Sequence, residues 1–275
     1  TSPLREASLA AFRRWWANPG YGLDETPGVF FQQSFGALDL FCLDDRYWRD
    51  PNDRPDGPGK TLLGQAQRDW LLQRLRGSDA VWKAVASSIS FTPIELDLAV
   101  PALGAPPLLA RRFLLNVDHW DGFPQARREL IDAFDAAGGA VLLSGDIHAA
   151  FATRHSARTF ELTTPAVSST TLADILGREV DRDPATAEVG RRMVEQLDAL
   201  IVHGDPRVAL ARTREHGVVL IDADMGSLRA RFLCQPPEAN ATRLYERPDS
   251  VPGRREHRFE ASADTRTLVA RSGEE

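Results

Sequence analysis

The 275-residue sequence is poor in lysine, in cysteine and in long apolar runs. Lysine occurs only at Lys60 and Lys83, and the formal net charge of −6 argues against general binding to nucleic acid or to an acidic membrane. Cys42 and Cys234 each lie among apolar residues; they could form one disulfide or remain two buried thiols, so the compartment stays open. No apolar stretch approaches the ~18 residues that a membrane-spanning helix needs. Because the chain begins with threonine and without a signal-peptide pattern, we expect a processed or cut chain.

The order of the predicted elements favours an α/β fold, because buried strands alternate with amphipathic helices. The spacing of apolar residues predicts helices at 4–16, at 64–76, from 124 onward and at about 188–202. Strands are predicted on both sides of 34–36, at 81–88, 140–145, 147–154 and 158–164, and as a hairpin over 217–234. We assign residues 1–235 to one domain and residues 236–275 to a weakly patterned C-terminal extension.

The segment Ser144-Gly145-Asp146-Ile147-His148 directly follows a predicted buried strand. In an extended chain, Asp146 and His148 project from the same face, and Gly145 permits the tight turn that would bring them together. Ligands bind at the carboxyl ends of strands in α/β sheets. A carboxylate oxygen and an imidazole nitrogen suit a divalent or trivalent metal ion. On these residues alone, a polar turn in which the histidine caps nearby backbone is an equally good interpretation.

A second cluster of charged residues follows another buried strand, at residues 43–50. Arg46 lies two residues after Asp44, on the same face if the chain stays extended, and arginine suits bidentate recognition of phosphate. A solvated ion-pair turn explains Arg46 equally well, and it is the better explanation for Arg49.

A third cluster, at residues 116–124, places Asp118, His119 and Asp121 around Trp120 just before a predicted helix. Asp121 is a candidate N-terminal cap of that helix, and Trp120 is a candidate wedge between the loop and the core. We therefore favour a structural role for this cluster. We also interpret the hydroxyl-rich run 163–171 as turns rather than as an anion site.

Taken in order, these segments resemble the PhoD-like alkaline phosphatases, a branch of the metallophosphoesterases. The resemblance extends from about residue 5 to about residue 235. The motifs that carry it are L-D-x-R-x-x-R at 43–49, L-G-x-x-Q-x-x-W-L at 63–71, W-K at 82–83, N-x-D-x-W-D-G-F-P at 116–124, S-G-D-I-H at 144–148, T-P-A-V-S-S at 164–169 and G-V-V-L-I-D at 217–222.

The resemblance implies a layered sandwich of two mixed β-sheets flanked by helices, with a metal centre at the strand ends. It implies that Asp146 and His148 are the catalytic metal ligands, that iron and calcium are the metals, and that a metal-activated hydroxide attacks phosphorus. Arg46 is then a candidate phosphate-binding residue. The implied substrate is a phosphate mono- or diester, either a small molecule or a phospholipid, and the implied location is periplasmic or secreted. Asp44, Asp118 and Asp121 are candidates for the residues that hold the ligands in place.

The sequence also departs from the family pattern. Three stretches that carry metal ligands in the family, G-S-C-x, G-D-x-x-Y and D-D-H-E, are absent, and the opening helix resembles the segment that follows D-D-H-E. The resemblance therefore implies that this chain matches the C-terminal part of the family. We expect little phosphatase activity from such a chain alone, because two ligands leave a dinuclear site incomplete. The alternative is a non-catalytic homologue that serves as a binding or structural module.

Overall fold

The computed structural model describes residues 3–99, 104, 110–115, 118–182, 184–237 and 253–271. Within these ranges the helices are α1 (Pro3–Trp15), α2 (Gln65–Arg76), α3 (Pro124–Ala136), α4 (Leu172–Val180), α5 (Ala187–Glu195) and α6 (Leu197–Gly204). The strands are β1 (Gly22–Leu23), β2 (Thr26–Pro27), β3 (Phe31–Phe35), β4 (Leu38–Cys42), β5 (Trp82–Ala86), β6 (Glu95–Asp97), β7 (Arg112–Leu114), β8 (Val141–Ser144), β9 (Ala150–Arg154), β10 (Phe160–Thr163), β11 (Val208–Arg212), β12 (His216–Ala223), β13 (Ser227–Gln235), β14 (Arg255–Ser262) and β15 (Val269–Arg271). None of the helices in the described ranges is both long enough and apolar enough to cross a membrane.

Seven strands form one mixed sheet, in the order β11-β9-β10-β8-β5-β4-β3. Strands β4, β5, β8 and β10 run parallel to one another, whereas β3 and β9 pair antiparallel with their neighbours. The carboxyl ends of the four parallel strands therefore lie along one edge of the sheet. The segments that follow these strands carry Asp44, Ser87, Asp146 and Thr164.

Apolar side chains pack on both faces of this sheet. One face and the second sheet, β12-β13-β14-β15, enclose a core that includes Trp82, Phe160 and Phe232. Helices α2 and α3 cover the other face over β4, β5 and β8, and α5 and α6 cover it over β9 and β11. This arrangement confirms the predicted α/β fold. The second sheet is antiparallel throughout rather than mixed, because its successive strands pair directly with one another.

Two helices differ from the sequence prediction. The helix predicted at about 188–202 is two helices that meet at Gln196: α5 packs on α4, whereas α6 packs on β6 and β11. Helix α4 lies next to the run interpreted as turns, and it begins at a cap in which the Thr171 side chain accepts a hydrogen bond from the backbone N–H of Asp174. Threonine followed three residues later by an acidic residue resembles a capping box, so the sequence did contain a signal for this helix.

Two strands lie in the region that the sequence leaves weakly patterned. β14 pairs with β13 over its whole length, from Ser227 opposite Ser262 to Cys234 opposite Arg255. Phe259 and Ala261 of β14 are buried in the core between the sheets. Residues 255–262 are therefore part of the second sheet, whereas the domain boundary at 235 stays a prediction.

Candidate metal centre

The candidate site lies at the carboxyl edge of the parallel strands. Hydrogen bonds continue past the ends of these strands: the Ser87 N–H donates to the Leu143 carbonyl at 2.9 Å, and the Thr164 N–H donates to the Ser144 carbonyl at 2.9 Å. The segments after β5, β8 and β10 therefore leave the sheet side by side. Ser144 is the last residue of β8, so the turn that follows it stands in the middle of this edge.

The turn at 145–148 is not extended. Asp146 and His148 adopt φ angles of 68° and 58°, in the left-handed region that non-glycine residues seldom occupy. Ile147 between them is buried, which anchors the turn, whereas Asp146 is exposed and His148 is half-buried. The sequence-based expectation of an extended pair is wrong at this point. Strained backbone of this kind persists where the surroundings enforce it, and it is concentrated at ligand sites.

The ring of His148 is oriented by a backbone carbonyl. Its Nδ1 lies 2.5 Å from the carbonyl oxygen of Thr170, and because a carbonyl can only accept, Nδ1 carries the proton. Nε2 of the neutral ring then presents a lone pair. Histidines that bind metals commonly donate their other ring N–H to a carbonyl or carboxylate in this way. His148 thus has the tautomer that a metal ligand needs.

The carboxylate of Asp146 is held by a histidine that the sequence analysis did not select. Oδ2 of Asp146 lies 3.1 Å from Nε2 of His119, and the His119 ring is buried. Burial lowers the pKa of His119, although Asp146 opposes this shift. With the Asp146 carboxylate as the acceptor, the Nε2–H of His119 is the hydrogen-bond donor. The sequence did contain a signal for this contact, since His119 lies in the charged cluster at residues 116–124. We interpreted that cluster as structural.

Arg46, the predicted phosphate-binding residue, forms an ion pair with Asp118. Its guanidinium donates to the Asp118 carboxylate at 2.9 Å, and about half of each side chain is exposed. The same carboxylate contacts Arg49 at 3.1 Å and accepts a hydrogen bond from Asn52 at 2.8 Å. Partial burial would raise the pKa of Asp118, but the hydrogen bonds from Asn52 and Arg46 hold it below its usual range. Asp118 precedes His119, so the arginine pair adjoins the Asp146 site.

The sequence analysis predicted that Arg49 forms a solvated ion pair. Arg49 does form an ion pair, with Asp118, but its side chain is largely buried. Only 11% of its side chain is exposed, and its guanidinium lies 5.1 Å from the centre of the Phe123 ring. Of the two arginines that contact Asp118, Arg46 is the more exposed, at 51% of its side chain.

Asp44 stabilises the turn that carries Arg46. Its buried carboxylate accepts hydrogen bonds from the backbone N–H groups of Val29, Arg46 and Tyr47, at 2.8 to 3.0 Å. The side chain of Gln67 donates to the Asp44 carbonyl and accepts from its N–H. These contacts occupy the carboxylate, so Asp44 positions Arg46 through the backbone.

Asp121 does not cap α3, which has no side-chain hydrogen bond at its N-cap. Its buried carboxylate instead accepts from the Ile94 N–H at 3.1 Å and from Arg127 at 2.5 Å. Trp120 is fully buried and stacks on Phe91, with ring centres 4.2 Å apart. Trp120 therefore does wedge this loop against the core, and Asp121 links the same loop to Ile94 and Arg127.

Asp45 is a buried carboxyl group beside this site. One oxygen, Oδ2, accepts from the Ser88 N–H at 2.6 Å and from the hydroxyls of Ser87 and Ser88, whereas Oδ1 has no hydrogen-bond partner. Burial raises the pKa of Asp45 from 3.8 to about 6 despite these donors.

Replacing Asp45 by asparagine is expected to change how stability depends on pH. With its folded pKa raised, Asp45 keeps its proton in the folded state at pH values where the unfolded chain has lost it, so the contribution of Asp45 to stability falls as pH rises from about 4 to about 6. The raised pKa corresponds to about 3 kcal/mol. Urea unfolding at several pH values measures the free energy of unfolding of both proteins. Relative to wild type, Asp45→Asn should become more stable by about 3 kcal/mol between about pH 4 and about pH 6. A difference that does not change with pH would contradict the raised pKa of Asp45.

Asp146 and His148 offer two potential metal donors. A carboxylate oxygen and an oriented imidazole nitrogen fit the donor set of a divalent or trivalent ion. In the part of the chain that the structure describes, no further His, Cys, Asp or Glu donor completes a three-donor group with them. Two protein donors leave most coordination positions to water, to substrate or to donors outside the described residues.

Three comparisons relate the chain to known proteins. The family model described as PhoD-like phosphatase matches residues 1–232. A curated relative, alkaline phosphatase D of Bacillus subtilis (strain 168), is 31% identical over 132 residues, which are 43% of this chain and 21% of the relative. A solved structure titled "Structure of PhoD" superimposes with a TM-score of 0.64 at 18% identity, and the match covers 98% of this chain and 49% of that one. The structural likeness supports the fold.

The chain spans about half the length of the solved structure that it matches. The expectation that it corresponds to the C-terminal part of the family is not supported, because the family model matches the N-terminal region of this chain, residues 1–232.

Proposed function

The chain belongs to the PhoD-like phosphatase family, and we propose that it hydrolyses phosphate esters at the carboxyl edge of the large sheet, with Asp146 and His148 as metal ligands. The observation that carries the proposal is the left-handed conformation of both residues together with the hydrogen bond that orients the His148 ring. When bound, a metal ion would activate a water molecule and offset charge on the phosphate oxygens. Iron and calcium are the ions that the resemblance to the family suggests.

Residues around the ligands have separate roles in this proposal. His119 fixes the direction of the Asp146 carboxylate by donating a hydrogen bond to one of its oxygens, which leaves the other oxygen for the metal. Arg46 exchanges its exposed pair with Asp118 for a pair with the substrate phosphate, which costs little because exposed ion pairs are weak. In this proposal, the ion pair with Asp118 keeps the Arg46 guanidinium close to the site when no substrate is bound.

The organic part of the substrate has a candidate position beside Arg46. A cleft of about 300 Å³ lies between α1 and the Arg46 turn, with walls that include Leu9, Phe12, Val29 and Tyr47. Apolar walls beside a cationic side chain fit a phosphate ester with an apolar alcohol group. A diester, a phospholipid among them, is therefore a substrate class to test beside monoesters. A periplasmic or secreted location follows from the family resemblance alone and stays a prediction.

Arg46→Ala is expected to lower kcat/KM by about 10- to 100-fold, mainly by raising KM, because a charge-assisted hydrogen bond to substrate contributes about 1.5–3 kcal/mol. Steady-state kinetics on p-nitrophenyl phosphate measures the effect. Arg68→Ala is the matched control, since Arg68 forms an exposed pair with Glu129 on the surface helices. Equal kinetics for Arg46→Ala and the control would remove Arg46 from the phosphate site.

A second candidate function is that of a non-catalytic binding or structural module. The observation that favours it is the small number of donors: among the described residues, only Asp146 and His148 are candidate ligands at this site, whereas a dinuclear hydrolytic site needs several carboxylates. A binding module would bind a phosphate ester with Arg46 but would not turn it over.

The two functions are separated by a chelation experiment on the protein as its gene encodes it. The protein is treated with a chelator, reloaded with iron and calcium, and assayed on p-nitrophenyl phosphate and bis-(p-nitrophenyl) phosphate. Hydrolysis that disappears on chelation and returns on reloading is the expected result. Phosphate binding without hydrolysis under every metal condition favours the binding module, and hydrolysis that withstands chelation excludes the proposed metal role.

A further inference from the structure

Three metal-binding side chains meet at one end of the second sheet, in residues that the phosphatase proposal does not use. Glu215, Cys234 and His257 each place one potential ligand atom within 4.8 Å of the other two. Cys234 lies on β13 and His257 on β14, and Glu215 lies between β11 and β12. The three come from different elements of the fold, so the packing of the sheet creates the cluster.

The cluster sits at the margin of the apolar core. Cys234 is on the core side of β13, with Phe232, and His257 is two residues from buried Phe259 on β14. Glu215 and Cys234 are fully buried, whereas His257 is half-buried. An ion could therefore enter past His257 and would then be held in a largely dry environment.

One oxygen of Glu215 is buried at this cluster without a hydrogen-bond partner. Oε1 pairs with Arg255 at 2.6 Å, but Oε2 is buried and has no hydrogen-bond partner. A buried carboxylate oxygen without a partner costs free energy, and proteins rarely leave one in this condition without a ligand, ion or water. The unpartnered oxygen belongs to the same group as the thiol and the imidazole, so a bound cation would satisfy it.

We propose that Glu215, Cys234 and His257 form a zinc site, separate from the Asp146 site and independent of phosphate hydrolysis. A thiolate, an imidazole and a carboxylate are the zinc ligands of proteins, and the thiolate selects against calcium and magnesium. With metal–ligand distances of about 2.0–2.3 Å, tetrahedral ligand atoms lie about 3.3–3.8 Å apart. Since the three atoms lie within 4.8 Å of one another, each separation has to shorten by at most about 1–1.5 Å to reach these values. Three protein ligands leave the fourth position for water.

Two arginines contact the proposed ligands when no metal is bound. The Arg212 Nε–H donates to Nε2 of His257 at 3.3 Å, and Arg255 pairs with Glu215. Because the Nε–H of Arg212 can only donate, Nε2 of His257 accepts this hydrogen bond through its lone pair. Burial, followed by the charge of Arg212, lowers the pKa of His257. Burial and the neighbouring Glu215 carboxylate raise the pKa of Cys234 to about 12, so the metal has to displace the thiol proton.

Binding of the metal through Nε2 of His257 requires one rearrangement. Arg212 withdraws from Nε2 of His257, which is feasible because about a third of the Arg212 side chain is exposed. Arg255 can stay on Oε1 of Glu215 while Oε2 turns to the metal. Arg212 therefore acts as a competitor for the imidazole, and its removal should strengthen metal binding.

Cobalt is the probe for this site, because it replaces zinc and its bond to a thiolate gives an intense near-ultraviolet charge-transfer band. The chain is titrated with Co²⁺ in a metal-free buffer, and zinc is then added. We expect one equivalent of Co²⁺ to produce the thiolate band and zinc to remove it. Cys234→Ser should abolish the band, and His257→Gln should weaken Co²⁺ affinity by at least about tenfold.

Three further variants make the result specific. Cys42→Ser tests whether the second cysteine contributes to the band, and it should leave the band unchanged. Asp146→Asn should also leave it unchanged, because Asp146 belongs to the proposed phosphatase site and not to this cluster. Arg212→Gln should tighten Co²⁺ binding by up to about tenfold, because it removes one hydrogen bond that competes for the imidazole. No band in folded wild-type protein, a band that survives in Cys234→Ser, or weaker binding in Arg212→Gln would each overturn the proposal.

Discussion

Asp146→Asn is expected to reduce phosphate-ester hydrolysis by about 10³-fold or more, because the substitution removes an anionic metal ligand and the metal contributes several kcal/mol to the transition state. Asparagine tolerates the left-handed conformation that Asp146 adopts, so the turn should survive. Steady-state kinetics on the protein as its gene encodes it, loaded with metal, measures the effect.

His119→Gln provides the graded comparison for that prediction. His119 orients Asp146 without being a proposed ligand, so its loss should reduce activity by only about 10- to 100-fold. Added metal should partly restore His119→Gln but not Asp146→Asn. Equal losses in the two variants, or a full rescue of Asp146→Asn by metal, would contradict the assigned roles.

Glu161→Ala is expected to destabilise the fold by about 3–5 kcal/mol, because it removes the centre of a buried polar network. The carboxylate accepts hydrogen bonds from Thr92 at 2.6 Å, from the Phe91 N–H at 2.8 Å and from Ser144 at 2.5 Å, and it pairs with His155 at 2.9 Å. Glu161 is fully buried, so its loss leaves these donors inside the fold without their acceptor. Urea unfolding measures the loss.

Glu161→Gln keeps the prediction testable if the alanine variant does not fold. Burial would raise the pKa of Glu161, but the hydrogen bonds from His155, Ser144 and Thr92 hold it below the ordinary value. A depressed pKa stabilises the fold above the unfolded-state pKa of about 4.5, and this contribution is lost as pH falls through the folded pKa. The advantage of wild type over Glu161→Gln should therefore shrink below about pH 4.5. An advantage that grows on acidification would show that Glu161 is protonated in the fold.

The sequence located the candidate site but not its geometry. A carboxylate and an imidazole after a buried strand made Asp146 and His148 candidates, and the family resemblance favoured metal ligands over a polar turn. The extended conformation was wrong because the chain reverses around Ile147, and the need to bury this side chain is a tertiary effect. His119 was missed for a related reason: its contact with Asp146 joins residues that are 27 positions apart, and only the packing of β8 against the Trp120 loop brings them together.

The fold was predictable where the local pattern was strong. Helices α2 and α3, the buried strands of the large sheet and the β12–β13 hairpin all have periodic apolar residues. Strand β14 was missed because much of its sequence is charged, and its two core-facing residues, Phe259 and Ala261, give too short an alternation to recognise. Its place in the fold comes from pairing with β13.

The metal content of the Asp146 site tests the central claim most directly. Iron and calcium are measured by elemental analysis in wild type, in Asp146→Asn and in His148→Asn, whose asparagines suit the left-handed turn. Zinc is counted separately, so that the Cys234 cluster does not interfere. Asp69→Asn, an exposed position on α2, is the control. We predict that wild type and the control hold iron or calcium and that both site variants lose it. Equal iron and calcium in all four proteins would contradict a metal centre at Asp146 and His148.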